Sequence, residues 1–207
     1  MPVNIKRFLE EITRVKSPGP SPTFSVFQML RAIELIGEKE KGRGKLAELL
    51  NVGEGAVRTI IGRLKSADLI ETSKSGCSLT DKGLRLLNEY KQVFREKGEL
   101  GKFELTASDY SFAILAKNRG DMVKSGMEQR DAAVKMGADA AVIIVSRRKR
   151  LVIPSVSDDL EKDFPKAARR ILKLMRPEEN DVVVVAGADS LDVAEYGALA
   201  AAWTLLN

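Results

Sequence analysis

The chain contains no histidine and a single cysteine, Cys77, among its 207 residues. An internal disulfide is therefore excluded, and the cysteine and histidine ligands of a structural zinc site are missing. Catalysis by an imidazole base, or by a cysteine paired with histidine, is excluded for the same reason. The sequence also lacks a Walker loop and a G-x-G-x-x-G motif. We expect no enzyme activity, no metal and no cofactor, although carboxylates remain available for acid–base chemistry.

Long apolar runs are also missing. No segment approaches the ~20 consecutive apolar residues that a membrane helix needs. The N-terminal segment is interrupted by the charges of Lys6, Arg7, Glu10 and Glu11, unlike a secretory signal. With 44% hydrophobic and 30% charged residues, the composition is typical of a globular protein, and the length suits two small domains. We expect a cytoplasmic protein with no membrane partner.

The most informative stretch runs from Leu46 to Leu79. Apolar residues recur within it at spacings of three and four, which predicts one buried stripe on an α-helix: Val57, Ile60, Ile61, Leu64 and Leu69. A shorter amphipathic run precedes this helix, and Asn51-Val52-Gly53 separates the two. Two short β-prone segments around Ser73-Lys74-Ser75-Gly76 follow and predict a hairpin. Helix, turn, helix and hairpin is the order of a winged helix-turn-helix.

Leu46 to Gly83 resembles the winged-helix domain of many prokaryotic transcription regulators. Leu46-Ala47-Glu48 is similar to the start of the positioning helix in that family. Leu64 to Ile70 is similar to its "L-x-x-x-x-L-I" exit into the wing, and Leu79-Thr80-Asp81-Lys82-Gly83 to its "L-T-x-x-G" motif. The resemblance implies that the second helix, about residues 54–67, enters the major groove of double-stranded DNA.

The resemblance and the helical spacing together assign candidate DNA-binding residues to the exposed face of this helix and to the wing: Glu54, Gly55, Arg58, Thr59, Arg63, Lys65 and Lys74. One departure concerns Gly53, Glu54 and Gly55, where the family often has Ser or Thr. A carboxylate is unfavourable near phosphates unless it accepts a hydrogen bond from a cytosine amino group. An ordinary solvated position is the alternative for Lys74.

The basic excess lies on the same half of the chain. Residues 1–100 contain 18 Lys and Arg and 13 Asp and Glu, a net charge of +5, whereas residues 101–207 contain 16 of each. Counterion release would favour DNA binding by this half. Chance is the alternative, because an excess of this size is modest.

Further helices are predicted around the motif. An amphipathic helix over 4–16 is followed by an extended proline-rich linker, Ser17 to Pro22. Thr23 is placed to cap a helix over 24–37, and Asp81 to cap one that runs to about Lys97. The first helix either packs on the core or pairs with a second subunit. The helix after the wing presents Leu84, Leu87, Tyr90 and Phe94, which serve either a homodimer contact or the chain's own core.

The pattern changes beyond Gly98, which predicts a domain boundary there: a winged-helix domain over 1–98 and an α+β domain over 99–207. Predicted strands alternate with two helices, at 125–137 and 158–175, before a closing helix at 190–206. The predicted strands are Phe103–Leu105, Ser111–Ala116, Ala140–Val145, Leu151–Ile153 and Asp181–Ala186. We expect a two-layer domain with helices mainly on one face, ferredoxin-like or related.

The whole combination is also similar to a family of archaeal transcription regulators whose C-terminal domain has no assigned function. The segments that carry this resemblance are NRGDMVKSGMEQRDAAVKMGADAAVIIV, from Asn118, and VVVVAGADS, from Val182. It implies a regulator without naming a ligand, so the second domain is expected to sense a small molecule or to mediate assembly. The alternative is a winged helix that serves as a protein–protein or RNA-binding module.

A polar cluster lies where a strand precedes the helix at 125–137, which Ser125 and Glu128 are expected to open with a capping box. With neighbouring residues it forms a tentative site for a small anionic effector: Asn118, Arg119, Asp121, Lys124, Arg130 and Asp189. A solvated loop is the alternative. Asp189 or Ser190 either caps the last helix or, with Asp192 and Glu195, meets an amine or a metal. The basic turn Arg147–Arg150 is either a nucleic-acid contact or solvated.

Overall fold

The computed structural model describes residues 4–14 and 23–206. The predicted linker, Ser17 to Pro22, lies outside these residues. The chain divides into two compact units, Met1–Lys91 and Gln92–Asn207. The division thus comes before the predicted boundary at Gly98. Mixed helix and sheet, with a helical N-terminal unit and a C-terminal sheet, confirms the α+β class.

The described residues of the first unit form five helices and one hairpin. Their bounds are α1 (Ile5–Thr13), α2 (Val26–Glu38), α3 (Arg43–Leu50), α4 (Glu54–Ser66), β1 (Ile70–Thr72), β2 (Cys77–Leu79) and α5 (Asp81–Val93). The caps are two residues and one residue away from those predicted. Ser25, not Thr23, forms a capping box with Gln28 on α2, and Thr80 Oγ1 accepts the Gly83 N–H (3.1 Å) at the start of α5.

The core of the first unit is formed by the stripe that the sequence predicted on α4, together with α2 and α3. Ile33 on α2, Leu46 on α3, and Val57, Ile60 and Leu64 on α4 are completely buried. At ~25 cal/mol per Å² of apolar surface, each such side chain stabilises the fold by roughly 1.5–3 kcal/mol. The opposite face of α4 is therefore the one left to other partners.

The second unit is built on a five-stranded sheet. Its elements are β3 (Phe94–Glu99), β4 (Tyr110–Ala116), α6 (Met127–Lys135), β5 (Ala140–Arg147), β6 (Arg150–Val152), α7 (Leu160–Asp163), α8 (Pro165–Met175), β7 (Val182–Ala188) and α9 (Leu191–Trp203). The strand order is β3-β4-β7-β5-β6, and all neighbours are antiparallel. The last strand, β7, lies at the centre, whereas a ferredoxin-like sheet has its last strand at an edge. The sheet is therefore not ferredoxin-like.

Helices cover both faces of this sheet, which corrects the expected two layers to three. On one face α6 and α9 pack closely because α9 is rich in small residues. A Cβ at Gly197 would lie 2.8 Å from the Ala138 Cβ and 3.3 Å from the Ala186 Cβ. On the other face, Ala168 and Ile171 of α8 join a core cluster with alternate sheet residues such as Val183.

Four other predictions for the second unit are wrong. The helix expected to reach Lys97 ends at Val93, and the next residues form the edge strand β3. Phe103–Leu105 is not a strand. The helix over 158–175 is broken at Phe164 because a residue before proline avoids the α region. Finally, α6 has Gly126 as its N-cap, with no side-chain cap, in place of the Ser125 capping box.

Candidate nucleic-acid interface

The N-terminal half of α4 presents four of the predicted DNA-binding positions together. Glu54, Gly55, Arg58 and Thr59 are all exposed, and a Cβ at Gly55 would meet nothing within 4 Å. The Thr59 hydroxyl donates to the Gly55 carbonyl (3.1 Å), within the helix. The Arg58 guanidinium has no hydrogen-bond or ion-pair partner among the residues that the structure describes. It is therefore available to a phosphate or to a guanine edge.

Arg63 has a different environment, which corrects its predicted role. Its Nη1 donates to the carbonyl oxygens of Ile12 (3.4 Å) and Thr13 at the end of α1. The guanidinium also lies over the Phe24 ring, 5.3 Å from its centroid. A cation held by two carbonyls and an aromatic face is a packing contact between helices. Reaching a duplex would require these contacts to break, so we no longer assign Arg63 to the interface.

The first helix lies beside the C-terminal half of α4. A groove of ≈ 570 Å³ separates Phe8 and Ile12 of α1 from Thr59, Gly62 and Ser66 of α4. Ile5 and Leu9 of α1 are buried. The intramolecular alternative for this helix is therefore the one observed. Because the groove with α1 begins at Thr59, the residues of α4 before it, including Arg58, are the most accessible part of its exposed face.

The hairpin of β1 and β2, which is the predicted wing, presents one exposed cation. Ser73 to Gly76 form the turn between β1 and β2, closed by a hydrogen bond from the Ser73 N–H to the Gly76 carbonyl (2.8 Å), and Lys74 is exposed at its tip. Lys65, at the other end of α4, donates through Nζ to Thr72 Oγ1 (3.3 Å) on β1. Lys65 thus links the helix to the wing, and it remains exposed.

Burial raises the pKa of the Cys77 thiol on β2, which keeps it protonated and unreactive.

The helix after the wing uses most of its predicted apolar stripe within the chain. Leu87, Tyr90 and Phe94 are buried, whereas Leu84 is 44% exposed. Phe94 belongs to β3 and so to the second unit. Most of the stripe therefore packs within the chain's own cores. Of its four residues, Leu84 is the one exposed to a second subunit.

The six tentative effector residues in the second unit do not converge. Asn118, Arg119 and Asp121 follow the end of β4, beside the start of β7, whereas Asp189 follows the end of β7, beside the start of β4. These two ends of a seven-residue strand lie about 20 Å apart. Lys124, Asp121 and Arg130 are exposed, and Arg130 alone lines a cavity described below. Because of this separation, the six residues do not form the single effector site that the sequence predicted.

The turn after β4 pairs several of its polar groups within the unit, whereas Arg119 Nε is buried without a hydrogen-bond partner in the described residues. Asp181, which is buried, accepts the N–H groups of Asn118 (2.8 Å) and Glu178 (2.9 Å). Asn180 Nδ2 donates to Asn118 Oδ1 (2.6 Å) and to Asp121 Oδ2 (3.1 Å). These bonds are those of a structured turn, which favours the loop alternative for this part of the cluster.

Contacts inside the unit bear on the remaining alternatives, whereas the choice between a nucleic-acid contact and a solvated turn for Arg147–Arg150 stays a prediction. Ser190 caps α9, its Oγ accepting the Val193 N–H (3.4 Å), and the Lys97 amine lies 3.7 Å from Glu195. In the basic turn, Arg147 donates to the Gly120 carbonyl (2.7 Å), whereas Arg148 is exposed at the tip. The described residues contain no group of three or more acidic or cysteine side chains able to hold a metal. None of the helices in the described ranges is long and apolar enough to cross a bilayer.

Comparisons with known proteins divide along the same lines as the structure. A family model described as "PH0730-like, N-terminal domain" matches residues 29–85, from α2 to α5. A second, described as "Domain of unknown function (DUF4443)", matches residues 107–205, from β4 to α9. A curated relative, the "Central glycolytic genes regulator" of Priestia megaterium, is 33% identical over 100 residues. That match covers 48% of this chain and only 29% of the relative's length.

Among solved structures, the "Hypothetical protein PH0730 from Pyrococcus horikoshii OT3" aligns with a TM-score of 0.71 and 28% identity. The alignment covers 88% of this chain and 92% of that chain, so both units have counterparts in it. ZitR from Lactococcus lactis aligns with a TM-score of 0.31 and 21% identity over 42% of this chain and 70% of that one, which is too weak to support an argument. The chain is thus similar over most of its length to a two-unit protein, and over about half of it to a regulator of transcription.

Proposed function

We propose that this protein is a transcription regulator that binds double-stranded DNA with the first two turns of α4 in the major groove. The observation that carries the proposal is the exposed Arg58 guanidinium, which has no partner in the described part of the chain. In helix-turn-helix proteins the N-terminal residues of the second helix contact the base edges. Lys74 on the wing would contact the backbone of the duplex, and the net charge of +5 would favour association.

Similarity to a glycolytic genes regulator supports DNA binding at a coarse level, because transcription regulators act on DNA. We further propose that the second unit, which matches a domain of unknown function, serves as an effector or assembly module. A homodimer would match the two-fold symmetry of an operator. Sedimentation of the protein with and without bound duplex tests that part of the proposal.

The test is a binding measurement with duplexes selected by the protein from a pool with a randomised central segment. We expect Arg58→Gln to weaken binding roughly tenfold, since a bidentate contact to a base contributes about 1–3 kcal/mol. If Arg58 instead contacts phosphate, binding weakens across all sequences and the slope of log K against log salt falls by about one. Structured RNA of equal length serves as the competitor.

The matched control is Arg169→Gln, which makes the same charge change at an exposed position on α8. It should leave the affinity within about twofold of the wild type. Wild-type affinity in Arg58→Gln, or a preference for RNA over every duplex, would rule out the assignment of α4 as the recognition helix. Circular dichroism of both variants checks that the fold is intact.

A further inference from the structure

The second unit contains an open cavity of ≈ 580 Å³ beside an unpaired sheet edge. The neighbouring strand β6 pairs only with Val145, Ser146 and Arg147 of β5. The earlier residues of β5, Ala140 to Ile144, therefore have β7 on one side and no strand on the other. The volume falls in the range of small-molecule pockets.

The walls of the cavity are apolar and incompletely covered. Val142 and Ile143 of β5 and Phe164 line it, and on its rim Met127 is 53% exposed and Val156 70% exposed. These rim residues are the two most exposed of the large hydrophobic side chains in the described part of the chain. An apolar group that entered the cavity would remove both side chains from water. This burial would contribute roughly 25 cal/mol of favourable free energy per Å² of apolar surface.

The floor of the cavity offers main-chain hydrogen-bonding groups. The Ser146 N–H donates to the Asp181 carbonyl (2.9 Å) at the start of β7. Main-chain groups alternate in direction along an antiparallel strand. Those of Ala141 and Ile143 consequently face the open side, towards the cavity, where a polar ligand atom would satisfy them.

One cation borders the cavity. Arg130 lines it from the first turns of α6, is exposed, and has no hydrogen-bond or ion-pair partner in the described ranges. The acidic residue of the lining, Glu104, is already engaged, because its Oε1 accepts the Ala167 N–H (2.8 Å) at the start of α8. Glu104 keeps its negative charge, so the two charges of the lining balance. Arg130 is the charged group without a partner in the described residues, and an anionic ligand group would pair with it.

We propose that this cavity binds a small monoanion with an apolar body, such as a medium-chain carboxylate, with Arg130 holding the anionic group. The aliphatic part lies against Val142, Ile143 and Val156, and covers Met127. Arg130 is one of the six tentative effector residues, and the other five do not line this cavity. The proposal deepens the effector role proposed for the second unit, and it concerns binding that does not require DNA.

The test uses the full-length protein without DNA, with octanoate as the probe and with octanol and octylamine for comparison. Methyl-detected NMR follows Ala141, Ile143 and Ile153, which line the cavity. We expect octanoate to shift these methyl signals selectively and to bind more tightly than octanol, with octylamine the weakest. Arg130→Gln should weaken octanoate binding roughly tenfold or more and leave octanol binding unchanged.

The matched control is Lys135→Gln, which removes one positive charge from the same helix outside the cavity lining. Its octanoate affinity should equal that of the wild type. Octanoate that leaves the cavity methyl signals unmoved, or binds Arg130→Gln as tightly as the wild type, would overturn the proposal. Either result leaves DNA binding by the first unit standing, and a failure of DNA binding leaves the octanoate result standing.

Discussion

Position 83 requires glycine because the main chain of Leu69 lies against it. It lies in the first turn of α5, and a Cβ there would be 2.1 Å from the Leu69 carbonyl oxygen and 3.3 Å from a Leu79 methyl group. The wing strands and the following helix approach each other over this glycine. The "L-T-x-x-G" motif therefore has a steric reason in this chain, independent of DNA.

We expect Gly83→Ala to lower the free energy of unfolding by about 1–3 kcal/mol, although alanine favours helix, because backbone atoms must move. Gly62→Ala is the matched comparison. Gly62 lies in the middle of α4 with nothing within 4 Å of its added Cβ, so that variant should gain roughly 0.5–1 kcal/mol. Urea unfolding followed by circular dichroism measures both. Equal stability of the two variants would contradict the steric reason.

Arg58 and Arg63 show how far the sequence predicts the surroundings of a single side chain. Both were assigned to the polar face of the same helix, and α4 has that face. The sequence contained no signal that α1 would end beside Arg63, because this contact joins residues 50 and 51 positions apart. Local periodicity predicts which side of a helix avoids the core, and it does not predict which other helix covers that side.

At the scale of elements, the turn between β5 and β6 is stabilised by an acidic residue from another loop. Arg148 and Lys149 both have left-handed backbone angles, φ 52° and 61°, as a two-residue type I′ turn requires. Their N–H groups donate to the Glu179 carboxylate at 2.8 and 3.2 Å. These two hydrogen bonds lower the pKa of Glu179 below its ordinary value.

This turn carries a pH prediction. A carboxyl group whose pKa is depressed on folding stabilises the folded state above its unfolded pKa, and this contribution is lost as the pH falls through the folded pKa. We expect the side-chain signal of Glu179 to titrate in the folded protein below 4.5, the ordinary value. Glu179→Gln should make the Arg148 and Lys149 amides exchange faster at neutral pH, with a smaller difference from the wild type in acid. An ordinary titration midpoint for Glu179 would be the contradicting result.

Element boundaries were predicted well where the signal was local. The stripe of α4, the hairpin and the buried run of β7 were all found in sequence. The exception that matters is β3, because its residues from Phe94 to about Lys97 are predicted as the end of the preceding helix. Its sequence, FREKGE, has no strand alternation of its own, and it becomes a strand by pairing with β4.

For the whole molecule, β3 determines where the chain can be divided. Phe94 and Leu100 are buried, and β3 covers one edge of β4. We expect a fragment of residues 92–207 to fold with a cooperative thermal transition. A fragment of residues 99–207, cut near the boundary expected from sequence, should melt at a lower temperature and aggregate, because β4 would become an exposed edge.

Circular dichroism melts and light scattering on both fragments measure this difference. Matched melting temperatures and equal solubility would show that β3 is dispensable, and would favour a boundary near Gly98. The proposed DNA and effector sites lie in separate units, so a fragment of residues 92–207 also allows effector binding to be measured without DNA binding.

The sequence by itself determined the fold class, the order of most elements and the identity of the α4 face that avoids the core, because these follow from local spacing and turn residues. Only the tertiary structure decided that Arg63 is engaged by α1, that the six effector candidates are separated, and that a cavity lies beside β5. The physical reason is that side-chain partners and strand order depend on contacts between residues far apart in the chain, for which a single sequence carries no periodic signal.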